Sequence, residues 1–352
     1  MVPEIAARGA QDCSLLAVRP GFLLAALSQT LKPSSGRAAG FFDRDKTAHR
    51  RGSVGVKMSD TLNTGSNPLR LSVAWLAILP ASPFAAIVCD AVLHTPPPGW
   101  LPFMNLGASA TLLALGHALP PLKPIRGYLR SIALLVLGYL VVLQAESTQA
   151  WHARFSEAPA WQFVFADSIL ELVPCLFLTL GLVHSGLARR ELFLTRGNLR
   201  APFPLPFRLP SGSWSWLGPF LTLFLAGPLV VQLMSTVRPD IHLLQRAIQG
   251  LPLGLTFSVF NAAQEEYRFR SVLLGRLVPV LGASQALWMT SALFGLGHWF
   301  GHPSGPTGVV MAGFAGLVWG KSMLDTRGFA WAWIIHGFQD LVIFTLLLMS
   351  RG

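Results

Sequence analysis

The sequence predicts an all-α fold, a polytopic membrane bundle of about eight or nine transmembrane helices, and three observations carry that prediction. The 352 residues are 52% hydrophobic and 12% charged, against about 25% charged in an ordinary soluble domain. Apolar runs of about twenty residues recur from Leu71 onward, the length a helix needs to cross about 30 Å of hydrocarbon. The basic residues sit mainly between these runs, the pattern of loops on the cytoplasmic face of a membrane.

Residues 1–66 are rich in Arg, Ser, Gly and Ala, with Arg44, Lys46, Arg50, Arg51 and Lys57 close together and no sustained hydrophobic period. They read as a basic, disordered extension, and Met58 offers a second start of translation. Residues 67–250 then hold the N-terminal transmembrane helices, and 251–352 a separate functional core. The apolar spans are Leu71–Leu93, Leu101–Leu119, Leu129–Leu143, Phe163–Leu187, Trp216–Met234, Leu251–Gly275, Ala283–Phe300, Gly308–Met323 and Phe329–Met349. The third is short enough to be re-entrant or tilted, which brings the expected count to eight or nine. With nine spans, Arg70, the Lys123–Arg130 group, Arg189–Arg208, Arg276 and the Lys321–Arg327 pair all fall on one side. Arg238 and Arg246 dissent, and the balance puts the N-terminus in the cytoplasm.

The net charge of +11 follows from those loops, so the expected partner is the lipid bilayer and not nucleic acid. Cys13, Cys89 and Cys175 form no clustered pair, so neither a disulfide framework nor a thiolate metal site is indicated.

Ionisable residues inside a span cost at least about 2.5 kcal/mol each at mid-membrane, so they default to function or to pairing. They concentrate in the last third. In Glu265-Glu266-Tyr267-Arg268-Phe269-Arg270, Glu266 and Arg270 stand four apart with the acid first, the order that favours a helix salt bridge. Glu265 is turned about 100° away and has no such partner; a carboxylate of that kind is a candidate general base. Phe294 and His298 share a face at one helical turn's spacing, and so do His336 and Asp340. In the second pair the carboxylate can orient the imidazole. A helix-end ion pair, an interfacial histidine and a polar pair joining helices are the structural readings of the same residues.

The three motifs together, EExxxR at Glu265, Glu266 and Arg270, FxxxH at Phe294 and His298, and HxxxD at His336 and Asp340, resemble the CAAX protease and bacteriocin-processing family of intramembrane glutamic or metallo-endopeptidases. The resemblance covers about residues 251–349. It implies a membrane-helical peptidase core in which Glu265 and His298 activate water and His336 with Asp340 stabilises the oxyanion, while Glu266 and Arg270 are positioning residues. The family often has asparagine where Asp340 stands, and an ionised aspartate cannot donate to an oxyanion; Asp340 therefore fits better as a group that orients His336, or as a protonated acid.

No cofactor is favoured. Zinc is the alternative, with Glu265, His298 and His336 as its ligands and water in the fourth position. A serine peptidase using Ser284 with His336 leaves Glu265 unexplained. A non-catalytic binding, immunity or transport protein could use the same polar network, with Asp90, Asp167 and Glu171 added. The expected substrate is a membrane-anchored protein or peptide, such as a C-terminal sorting tail or a prenyl-type terminus, and the expected location is a bacterial inner membrane.

Overall fold

The structure, a computed structural model, describes residues 67–350 except 184, 204–211, 235–242 and 302. The basic extension expected over 1–66 lies outside the described residues.

Residues 68–93 form a broken helical segment, α1 (Pro68–Leu76), α2 (Ile78–Ala81) and α3 (Phe84–Val88) followed by a π-helical turn at Cys89–Leu93. Asn67 caps its start by accepting from the backbone amides of Leu69 and Arg70. Ser82 and Pro83 interrupt it with a 67° bend, as expected of a proline that removes a backbone donor. Helix α4 (Leu101–Ala118) follows, then a 3-10 turn at Pro120–Ile125 that leads directly into α5 (Arg126–Glu146). The short α6 (Gln149–Phe155) precedes α7 (Ala160–Leu170) and α8 (Leu172–Val183). Beyond a loop, Pro202–Phe203 pairs antiparallel with Gly212–Ser213, and α9 (Trp214–Met234) follows.

The site-bearing third begins with α10 (Leu243–Glu265), which continues as a π-helix over Glu266–Leu274 and then as α11 (Gly275–Gly297). Gly282, with φ +82°, breaks α11; only a residue without Cβ takes that conformation freely. Helices α12 (Gly305–Thr326) and α13 (Ala330–Ser350) complete the order.

Five helices among the described residues are long and apolar enough to cross a membrane, or six if the bent segment 68–93 counts as one span. The expected eight or nine are not confirmed. Two of the expected spans merge into one helical stretch, Gln245–Gly297, and α4 has Asn105 and His117 within its 18 residues. The expected short third span is also corrected. With its 3-10 turn it runs Pro120–Glu146, 27 residues, because its ends carry Arg126, Arg130 and Glu146, where an apolar window stops early.

Small residues let the site helices approach closely, as membrane bundles do when no water is available to drive association. A methyl at Gly295 of α11 would lie 2.6 Å from the Val309 carbonyl of α12. A methyl at Gly254 of α10 would meet Thr345 of α13 at 2.6 Å. Trp333 donates its indole N–H across the same α10–α13 seam to the Val259 carbonyl at 3.0 Å. The start of α13 is tied down by Phe329 N–H to Thr195 O at 2.8 Å and by Trp331 Nε1 to Leu199 O at 3.1 Å.

Candidate active site

The first acidic residue, Glu265, ends the α-helical part of α10, and Glu266 begins the π-helix. A π-turn takes more residues per turn than an α-turn, so neighbouring side chains diverge less, and such segments are frequent at functional sites. Both glutamates consequently reach the same imidazole on α13. Glu266 is fully buried and its Oε1 accepts from Arg270 Nη1 at 3.1 Å. Arg270, also fully buried, sits among aromatic faces, its Cζ 4.2 Å from the Phe294 ring centroid and 5.1 Å from that of Trp319. Cation–π attraction is strongest when desolvated in this way, which offsets guanidinium donors that have no hydrogen-bond partner. Gly316 leaves the room: a methyl there would lie 2.8 Å from Arg270 Nη2.

His336 is the hub. Its Nδ1 lies 2.8 Å from Glu266 Oε1, and its Nε2 lies 3.4 Å from Glu265 Oε2 and 3.5 Å from Asp340 Oδ1. The ring stacks on Trp319 at 3.8 Å and 12° and meets the edge of Phe294 at 5.9 Å and 87°. Asp340 is fixed in turn by Asn261, whose Nδ2 donates to Oδ2 at 3.0 Å. The Glu266–Arg270 pair and the His336–Asp340 pair read from spacing are therefore brought into one cluster, together with Glu265. Both ring nitrogens face acids. The donor count can be met only if the ring carries both protons or an acid brings its own.

Two expectations need correction. Glu265 is not without a cationic neighbour, since Arg268 Nη2 lies 3.9 Å from its Oε1; the two stand three residues apart, a spacing at which helical side chains are neighbours. Glu266 is more than a brace for Arg270, because it makes the shortest contact to His336.

His298 stands apart from this cluster. It caps α11, its Nδ1 lies 2.9 Å from the Phe294 carbonyl, and its ring packs on Phe294 at 4.4 Å. No hydrogen bond or ion pair joins it to Glu265 among the described residues. A carbonyl only accepts, so Nδ1 carries the proton and the neutral ring keeps its lone pair at Nε2. Phe294, which touches His298, His336, Trp319 and Arg270, is the physical link between the two histidines.

Sequence reasoning did not single out Trp319, Asn261 or Gly316 as site residues. Asn261 had a signal, lying one helical turn before Glu265. A tryptophan and a glycine within an apolar span had none, since both are ordinary there.

Among the described residues no group of three or more His, Cys, Asp or Glu side chains is arranged to hold an ion, and His298, one of the three ligands expected for zinc, lies outside the acidic cluster that holds Glu265 and His336. Ser284, the nucleophile of the serine alternative, is exposed, and both nitrogens of His336 face carboxylates. Of the acids added for the transport reading, Asp90 accepts from Trp299 Nε1 at 2.8 Å and Glu171 pairs with Arg268.

Residues 247–342 match the family model described as type II CAAX prenyl endopeptidase Rce1-like, a region that contains all three motifs. The resemblance to the CAAX protease family is thus shown for this part of the chain. No curated protein and no solved structure matches the chain significantly. The matched family is one of membrane endopeptidases, and its match together with several apolar helices indicates a multi-pass membrane protein.

Proposed function

We propose that this protein is an intramembrane endopeptidase in which Glu265 is the general base. The observation that carries the reading is unequal exposure within the acidic cluster. The Glu265 side chain is 18% exposed, against 0% for Glu266, 3% for His336 and 10% for Asp340. Oε2 of Glu265, like Oε2 of Glu266, is a buried atom without a hydrogen-bond partner, so the exposure lies on the rest of the Glu265 side chain. By that exposure Glu265 is the acid of this cluster best placed to meet water.

In this mechanism Glu265 takes a proton from water as the oxygen bonds to the scissile carbonyl carbon. His298, at the rim with its Nε2 lone pair free, holds that water from the other side. The longer separations around His336 Nε2 leave its N–H able to turn to the developing oxyanion, which a donor held in advance stabilises most effectively. The proton on Glu265 then passes to the departing amine as the carbon–nitrogen bond breaks. Glu266 holds the imidazole from behind, and Asp340, fixed by Asn261, orients it. The substrate is a membrane-anchored protein or peptide, such as one ending in a sorting tail or a prenyl-type terminus, in a bacterial inner membrane with the N-terminus of the enzyme cytoplasmic.

Glu265→Gln keeps the shape and removes the base. Uncleaved membrane-anchored substrates are expected to accumulate in the membrane proteome of cells making only this variant, while the variant itself inserts at the normal level. Unchanged processing would overturn the reading. A second reading, a non-catalytic binding, immunity or transport protein, is favoured by one observation, the lack of a direct contact between His298 and Glu265. It predicts that Glu265→Gln and the unaltered protein give the same proteome.

A further inference from the structure

Outside the three motifs, a largely buried ionic contact among the described residues joins the peptidase region to the helices before it. Arg268, on the π-helix, is 2% exposed. Its guanidinium pairs with the carboxylate of Glu171 and also donates to the Glu171 carbonyl at 3.3 Å. Glu171 is the residue at which α7 gives way to α8, and it lies outside the region matched to the family. The other side of the same guanidinium faces Glu265, with Nη2 at 3.9 Å from Oε1. Tyr139 of α5 closes over it, with Cζ 5.5 Å from the ring centroid. Gln264, next to Glu265, is held to the same helix pair by its Nε2 donating to Ser168 O at 3.1 Å.

We infer that Arg268 and Glu171 are positioning residues for Glu265, and that Glu171 keeps Arg268 from closing onto the catalytic carboxylate. The reason lies in the competition for one cation. A guanidinium can take a carboxylate in a two-point grip at hydrogen-bond distance, and a base held that way has its oxygens occupied. Here Glu171 takes the close contact and Glu265 is left at a distance that orients it without binding its lone pairs. The charges that face Glu265 are Glu266, Arg268 and Arg270 from the π-helix and His336 and Asp340 from α13, with Glu171 beyond Arg268. Tyr139 and Cys175 are its neutral neighbours. Of the two arginines, Arg268 is the one that can reach Glu265 directly, since Arg270 is engaged by Glu266; His336 Nε2 contacts the other oxygen, Oε2, at 3.4 Å.

The inference rests on Glu265 as the base, so its test includes a readout that needs no substrate. Full-length protein in detergent is treated with a hydrophobic carbodiimide, and modification of Glu265 is quantified by peptide mass spectrometry for the unaltered protein, Glu171→Gln and Arg268→Gln. Freed from Glu171, Arg268 is expected to close on Glu265 and cut its labelling severalfold; without Arg268, labelling should rise severalfold. Simple loosening of the structure moves both variants upward, and equal labelling in all three proteins, or a rise in both variants, overturns the inference. In substrate processing both variants should lose tenfold or more, whereas Arg268→Lys should recover part of that loss. If Glu265→Gln leaves processing intact while the labelling pattern holds, the catalytic reading fails and the positioning of Glu265 by Arg268 and Glu171 stands.

Discussion

The two histidines of the peptidase region sit in opposite surroundings. His336 is buried, stacked on Trp319 and faced by acids at both ring nitrogens, a placement suited to donating. His298 is half-exposed at the end of α11, with one nitrogen engaged by a backbone carbonyl and the other free to accept. Spacing alone gives the two motifs a similar look, each a histidine one turn from a partner. The difference lies in what the partner is: Asp340 shares its imidazole with two glutamates, whereas Phe294 offers His298 a ring face and a main-chain oxygen. Chemistry at the His336 corner is thus inseparable from stability, and at the His298 corner the two are separable.

The most severe way to break that contrast is to remove the cation beneath His336. Arg270→Met leaves the buried Glu266 with His336 alone as its partner, and breaking a buried ion pair costs about 3–5 kcal/mol. Thermal unfolding in detergent should show a large loss, along with the loss of processing. His298→Ala should instead reduce processing about 100-fold, as expected for a general acid or base, with a melting temperature close to that of the unaltered protein; a melting loss as large as that of Arg270→Met would show that the corners do not differ. The smallest effect sharpens the cause. Gly316→Ala pushes a methyl towards Arg270, and overpacking of this kind costs about 1–3 kcal/mol. Its activity should fall with its stability, since Arg270, Glu266 and His336 form one connected set.

Pairings governed by helical spacing were legible in the sequence. Glu266 with Arg270 and His336 with Asp340 are each four residues apart, and both pairs meet in the structure. Contacts between elements were not. Nothing local places Trp319 against His336, because a ring in an apolar span carries no mark of its partner. The π-helix was likewise invisible, whereas the approach of Arg268 to Glu265 follows from a three-residue spacing at which helical side chains are neighbours. The all-helical class followed from composition and the length of apolar runs. The span count did not, because the number of helices depends on where chains bend: Ser82 and Pro83 split one run, and no interruption long enough to form a loop separates α10 from α11.

The π-helix at Glu266–Leu274 has a consequence for how this region tolerates change. It makes the site depend on how many residues lie in the segment as well as on which residues they are. Losing one residue there would let the turn close to α-helical geometry, and each residue of such a helix advances the chain by about 100°. Arg270 and the helix that follows it as far as the break at Gly282 would swing relative to Glu265 upstream, although every residue named in the three motifs was still present.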